Sequence, residues 1–296
     1  MPNYWKGGTP GDGKGKDFMV MGKQSIYIVL AVAAMFVLVL VVVYIASAIK
    51  KTKLRDVVMH QKIIALDNRD VVPYKVSKDI INLPTTGQEY SYSLWLYLSD
   101  QYEATSGYKV IFQRGNASTV SGMFSYTTNP LVLMDKNTNR LYVAISTNKV
   151  TRDMTADEIL QKDANGAYTS SYVVAYIDYV PLQRWVNISI IVKDDKLMLF
   201  MDADMYTVAT VSDVVTNGPR PVMRDTTGDA LIGDKRSAVK GYISYSRFFN
   251  YAMTQNEVRT VYEAGPTKRS ILAYLGLNNY GFRTPIYNMD DEAKSA

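Results

Sequence analysis

Two kinds of periodicity divide this chain. From Ile26 to Ile49, IYIVLAVAAMFVLVLVVVYIASAI, twenty-four residues pass without a charge, a glycine or a proline. A helix apolar on every face, about 36 Å long at 1.5 Å per residue, matches a hydrocarbon core of about 30 Å with some tilt. Such a helix also satisfies its own backbone polar groups, as lipid requires. The run therefore predicts a single transmembrane helix over 26–49. Ala46-Ser47-Ala48 imitates a signal-peptide cleavage site. The apolar run is longer than the roughly 7–15 residues of a signal core, however, and follows a tail of twenty-five residues, so it reads as a permanent anchor.

Past the anchor, good helix formers with Leu54, Val57, Val58, Ile63 and Ile64 predict that the helix runs on to Asp67. Asn68 to Pro73 then breaks it, which makes 50–73 a juxtamembrane stalk. From Tyr74 the period becomes two. Tyr90, Tyr92, Leu94, Leu96 and Leu98 alternate with Ser91, Ser93, Trp95 and Tyr97; Val186, Ile188, Ile190 and Val192 alternate with Trp185, Asn187 and Ser189. A turn at Asp194-Asp195 leads into Leu197, Leu199 and Met201, and shorter strands are expected at 108–114, 121–127, 130–134, 139–147, 172–179, 205–212, 229–233 and 240–249. Strands at this spacing predict an all-β, two-sheet sandwich over 74–265. Two short helices interrupt it: Thr155-Ala-Asp-Glu158 and Thr254-Gln-Asn-Glu257 both fit the capping box, and the second helix stops at Gly265-Pro266. Residues 1–25, rich in Gly and Lys, read as a polar tail. Residues 266–296 carry Ile271, Leu272, Tyr274, Leu275, Tyr280 and Phe282 without a period and are expected to lie as an arm on a neighbouring surface.

Charge adds an orientation. The net charge is +5, and residues 1–60 hold all of it, because 61–296 balance. A pI near 9.0 therefore points to lipid headgroups beside the anchor and not to nucleic acid. Lys50, Lys51, Lys53 and Arg55 crowd the C-terminal flank of the anchor, against Lys23 on the other side. The positive-inside rule then places the C-terminal domain on the cytosolic side, and the sequons Asn116-Ala-Ser and Asn187-Ile-Ser read as chance. With no cysteine, disulfides, thiolate nucleophiles and Cys-based zinc sites are excluded; one histidine, His60, cannot supply a triad or a His-rich metal site.

The stretch from Gln183 to Asp202, QRWVNISIIVKDDKLMLFMD, resembles a core hairpin of concanavalin A-like and laminin-G-like jelly rolls, in which a Trp opens one strand and an Asp-Gly turn closes the next. Gly241 to Glu257, GYISYSRFFNYAMTQNE, is similar to the closing segment of that family, and Tyr90 to Leu98 to its first long strand. The chain departs at Ala203-Asp204, where the family usually has Gly. The resemblance implies a concanavalin A-like jelly roll, and with it sugar binding (often with Ca²⁺), β-glucan hydrolysis or purely structural contacts. Hydrolases of this type carry Glu-x-Asp-x-Glu, and retaining cleavage needs two carboxyl groups about 5–5.5 Å apart. None of the six glutamates begins such a pattern, so no enzyme is expected. Calcium takes six to eight oxygens. Asp202, Asp204, Asp229 and Asp234, near predicted loops, are the candidate ligands, with plain surface acids as the alternative. No other cofactor is expected. Trp95, Tyr97 and Trp185 are candidate sugar or partner contacts, the alternative being burial under another element. Gly228 to Ser237 lacks the lysine of a phosphate-binding loop and reads as a strand between two turns.

Membrane-anchored proteins with this type of domain resemble minor capsid proteins of large DNA viruses. That resemblance implies a non-enzymatic link between a viral inner membrane and its capsid, with the bilayer and other capsid or coat proteins as partners. A membrane-anchored lectin or adhesin that binds glycans is the alternative.

Overall fold

The computed structural model describes residues 27–28, 30–45, 55–81, 89–99, 107–116, 118, 120–214, 219–225, 228–235 and 239–267. The expectations for residues 1–25, for the arm beyond 267 and for Lys50, Lys51 and Lys53 fall outside them. The chain divides into two units, Met1–Lys53 and Leu54–Ala296. In the first, residues 27–28 and 30–45 (α1) are helical, with apolar side chains exposed on every face. No helix among the described residues is long and apolar enough to cross a membrane; the ends of the predicted span, 26 and 46–49, are not among those residues.

The second unit is a sandwich of two antiparallel sheets. One has seven strands, in the order β1 (Asp56–His60), β13 (Gly241–Phe249), β4 (Tyr90–Leu98), β9 (Trp185–Lys193), β10 (Lys196–Met201) and β11 (Asp204–Thr210), with β2 (Ile64–Ala65) also pairing β13. The other has six, in the order β3 (Tyr74–Val76), β12 (Ala230–Ile232), β5 (Lys109–Arg114), β6 (Leu131–Met134), β7 (Leu141–Ser146) and β8 (Tyr172–Ile177). Side chains of alternate residues interdigitate between the sheets: Tyr92, Leu94, Leu96, Ile188, Ile190 and Phe248 from one, Phe112, Val132, Val143, Ala175 and Ile232 from the other, all buried.

The outer faces are covered as well. Helix α3 (Gln255–Ala264) lays Val258 and Val261 on Ile191, Phe200 and Phe249 of the first sheet. Ser91 clasps the approach to α3: its Oγ donates to Tyr251 O (2.9 Å) and accepts from Met253 N (2.9 Å). The segment carrying α2 (Ala156–Leu160) lays Val150, Ile159 and Leu160 on Val110, Leu131, Leu133 and Val174 of the second sheet. Both helices open with the predicted capping box, in which Thr155 pairs with Glu158 and Thr254 with Glu257.

Two expectations are corrected. Residues 56–60 and 64–65, predicted as helical stalk, are strands added to the edge of the first sheet. Val57 and Val58 are stiff at χ1 and weak in a helix. Pairing with β13 outweighs that weak pattern: Asp56 sits opposite Phe249 and Val57 opposite Phe248, and the Asp56 carboxylate accepts from Arg247 Nε at 3.2 Å. Residues 121–127, predicted as a strand, form a turn-rich loop in which an isolated β-bridge joins Phe124 to Met154. In place of a ladder, Thr127 N donates to Ser125 Oγ (3.3 Å), the Ser125 and Thr127 hydroxyls bond to each other (2.9 Å), and Thr128 N donates to Ser125 O (2.8 Å).

Candidate functional site

The residues singled out by sequence are dispersed, and most are engaged. Asp202 stands in the turn between β10 and β11 at φ 53°. Its Oδ1 accepts from Asn187 N (2.9 Å) and its Oδ2 pairs with Arg184 (2.7 Å). Asp204 opens β11 and is exposed. Asp229, before β12 in the other sheet, pairs with Lys75 (2.8 Å) and accepts from Lys78 N (2.8 Å). The hydrogen bond from Lys75 holds the Asp229 carboxyl below its ordinary pKa and raises that of Lys75. The four acids thus divide between the two sheets, and among the described residues no group of three or more His, Asp or Glu side chains gathers that could hold a metal ion.

The aromatic candidates fare likewise. Trp95 is only 4% exposed, its indole stacked on Tyr262 of α3 at 5.6 Å. Tyr97 is buried in a cross-strand row, 5.5 Å from Trp185 and 6.0 Å from Tyr242. Only Trp185 and Tyr242 in that row are half-exposed, so these rings make packing and no open platform. Arg55, the one described member of the basic flank, lies over the Tyr251 ring at 4.3 Å.

A cleft that the sequence reading passed over lies on the outer face of the second sheet. Its floor is Gln113 of β5 beside Leu231 of β12, a register pair whose neighbours Phe112 and Ile232 point into the core. One wall is the loop after β5, with Gly115, Asn116, Ser118, Ser121, Phe124, Ser125 and Thr128; the other is Pro73, Gly233 and Asp234. The cavity measures about 220 Å³.

The loop wall is built rather than draped. Asp153 receives Ser118 Oγ (2.6 Å) and Tyr126 N (3.1 Å), and Phe124 exchanges backbone hydrogen bonds with Met154 (2.8 and 3.1 Å). At its base the backbones of Gly115 and Gly228 cross so closely that a Cβ on Gly228 would lie 2.0 Å from Gly115 C. Only glycine permits that approach. Beneath the crossing, the Arg114 guanidinium is buried, donating to Tyr92 Oη (2.9 Å), Gly228 O (3.2 Å) and Ile81 O (3.4 Å). Burial holds the Tyr92 and Tyr90 phenols protonated, raising both pKa values.

The cleft therefore offers the Gln113 and Asn116 amides, several hydroxyls, the Asp234 carboxylate, and apolar contact from Phe124 and Leu231. Neither amide side chain makes a hydrogen bond among the described residues. The signal in the sequence was density, not period: Asn, Ser, Thr and Gly dominate from Gly115 to Asn129.

No protein-family model matches the chain, and no curated protein matches it. Solved structures similar to it include the receptor-binding domain of botulinum neurotoxin D (TM-score 0.42, 10% identity, 71% of this chain against 43% of that one). Another is the receptor-binding domain of the mosaic serotype C/D (0.40, 12%, 60% against 37%). A third is the serotype D ligand-binding domain in complex with N-acetylneuraminic acid (0.40, 11%, 70% against 46%). The chain thus spans less than half the length of each, and no function passes to it from likeness at this level.

Proposed function

We propose that this chain is a non-enzymatic, membrane-tethered binding protein: a concanavalin A-like jelly roll that takes one ring of a carbohydrate in the cleft. The observation that carries this reading is the lining. A sugar presents apolar C–H faces and a rim of hydroxyls that both donate and accept. Amide side chains answer both roles, Asp234 accepts, and Phe124 and Leu231 meet the apolar face. A cavity of about 220 Å³ is below the roughly 300–1,000 Å³ of pockets for drug-sized ligands, so it admits a ring and not a wrapped chain. One lining carboxylate suits hydrogen bonding, whereas glycoside hydrolysis takes two. Because side chains read the ligand directly, binding should survive a chelator.

The tether is supported by the uncharged run from Ile26 to Ile49 and by apolar side chains exposed on every face of α1. Glycans gather on the side away from the cytosol, so this reading opposes the orientation expected from Lys50, Lys51, Lys53 and Arg55. The sequons do not report the side, because Asn116 lends its amide to the cleft and Asn187 is buried with its amide on Ser93 Oγ (3.0 Å); protease protection of the C-terminal domain on intact membranes reports it. The test is glycan-array binding by the full chain in detergent, with Gln113→Ala and Asp234→Asn as variants. Saturable binding to one terminal sugar, weakened ten-fold or more by either substitution, supports the reading; binding unaffected by both refutes it.

A second reading, a structural link between a bilayer and surrounding coat proteins, shares the tether and is favoured by one observation, the exposed apolar edge strand β11.

A further inference from the structure

We infer that β11 is a self-association edge through which two copies held in one bilayer pair antiparallel about a two-fold axis; the inference rests on the tether proposed above. β11 ends its sheet, and among the described residues no strand pairs with its far side. On it Met205 is 58% exposed, Tyr206 40% and Val208 41%. A strand edge presents a row of backbone donors and acceptors, and proteins guard such edges with Lys, Pro, bulges or brevity.

The other three edges are guarded. β1 carries Asp56, held by Arg247, and is bulged between Val58 and His60. β3 is three residues long. β8 is buried along nearly its whole length, so its edge is covered rather than open; past its end Asp178 N donates to Tyr206 Oη of β11 (3.2 Å). β11, DMYTVAT, has neither Lys nor Pro. It is bulged at Tyr206, which falls between Met205 (opposite Phe200) and Thr207 (opposite Leu199), but from Thr207 to Thr210 it pairs regularly with Leu199–Lys196 and offers a straight, unguarded edge.

Charge and size select the occupant. From Met205 to Thr210 the strand is uncharged, so an axis at Thr207 opposes no like charges and sets Asp204 of one copy against Thr210 of the other. A seven-residue edge is about 23 Å long, and a single strand pair falls short of the roughly 1,200 Å² that stable soluble complexes bury. A freely diffusing partner would not be retained by it. A copy confined to the same membrane is, because tethering raises its effective concentration. The contact is isologous and closes at two.

The native chain has no cysteine, so single cysteines placed at 205 to 209 in the full chain report alone. In lipid vesicles under mild oxidation, disulfide dimers should peak at one position near Thr207 and fall on both sides. The peak should exceed by at least ten-fold the yield of Ile80→Cys, a distant site 50% exposed. It should drop with ten-fold lipid dilution and with Val208→Lys. Yields at 205–209 no higher than at Ile80 overturn the inference, as does a peak that forms only when another coat protein is added. Flotation of the same vesicles tests the tether separately. If the chain does not float, the tether fails and the inference falls with it, whereas flat yields at 205–209 in vesicles that do float overturn the edge alone.

Discussion

Ala203 sits at φ 71°, beside Asp202 at φ 53°, in the two-residue turn between β10 and β11. In that conformation its Cβ crowds the next carbonyl, an arrangement that favours glycine. Ala203→Gly should therefore raise unfolding stability by about 1 kcal/mol, read by urea denaturation. Asp202 tolerates the same conformation because its carboxylate is bonded to Asn187 N and paired with Arg184. Arg114 is the opposite case, a single side chain that ties the core to the cleft. Arg114→Met would leave the Gly228 and Ile81 carbonyls and the Tyr92 hydroxyl short of a donor. At about 1–3 kcal/mol for each buried group left unpaired, it should destabilise the fold by about 3 kcal/mol or more. Arg114→Lys should recover little, since one ammonium cannot span three acceptors.

At the scale of elements, β1 makes stability depend on pH. His60, its last residue, stands edge-on to Tyr74 at 4.4 Å, with Nε2 buried and unpartnered among the described residues. Burial lowers its pKa. The unfolded chain then binds a proton more readily than the folded one, so the contribution is complete above the unfolded value of roughly 6.5 and is lost as pH falls from there through the lower pKa of the folded state. Tm should drop by a few degrees between pH 7.5 and 5.5, and His60→Gln should flatten that slope; an unchanged slope would contradict the assignment.

Most of the sandwich was legible because a strand with one buried face writes a period of two, as in β4 and β9. The strand β1 was not. A short edge element with Val57, Val58 and Met59 looks the same whether it extends a helix or joins a sheet, and β13, nearly two hundred residues away, decides. Trp95 misled for a related reason: its outward position is plain in the sequence, but the lid that buries it, Tyr262 of α3, is not. The cleft was illegible because its loop is set by side chain to backbone bonds from Ser118, Ser125 and Asp153, which leave no periodic trace.

At the scale of the whole molecule, the sandwich holds its cleft ready-made. The floor belongs to two paired strands, and the wall is pinned by Asp153 and by the crossing of Gly115 and Gly228. Gly228→Ala, which cannot fit without parting that crossing, should lower both stability and ligand affinity, whereas Gln113→Ala should lower affinity alone. Thermal melts and binding run side by side separate the two. The central claim is that this cleft receives a carbohydrate ring, and calorimetric titration of the full chain, wild type against Leu231→Trp, tests it most directly. An indole on the floor fills the cavity from the solvent side and leaves the inward-facing core intact. The account predicts saturable binding of the sugar by the wild type and none by Leu231→Trp at unchanged Tm. Equal affinity in the two proteins would contradict it.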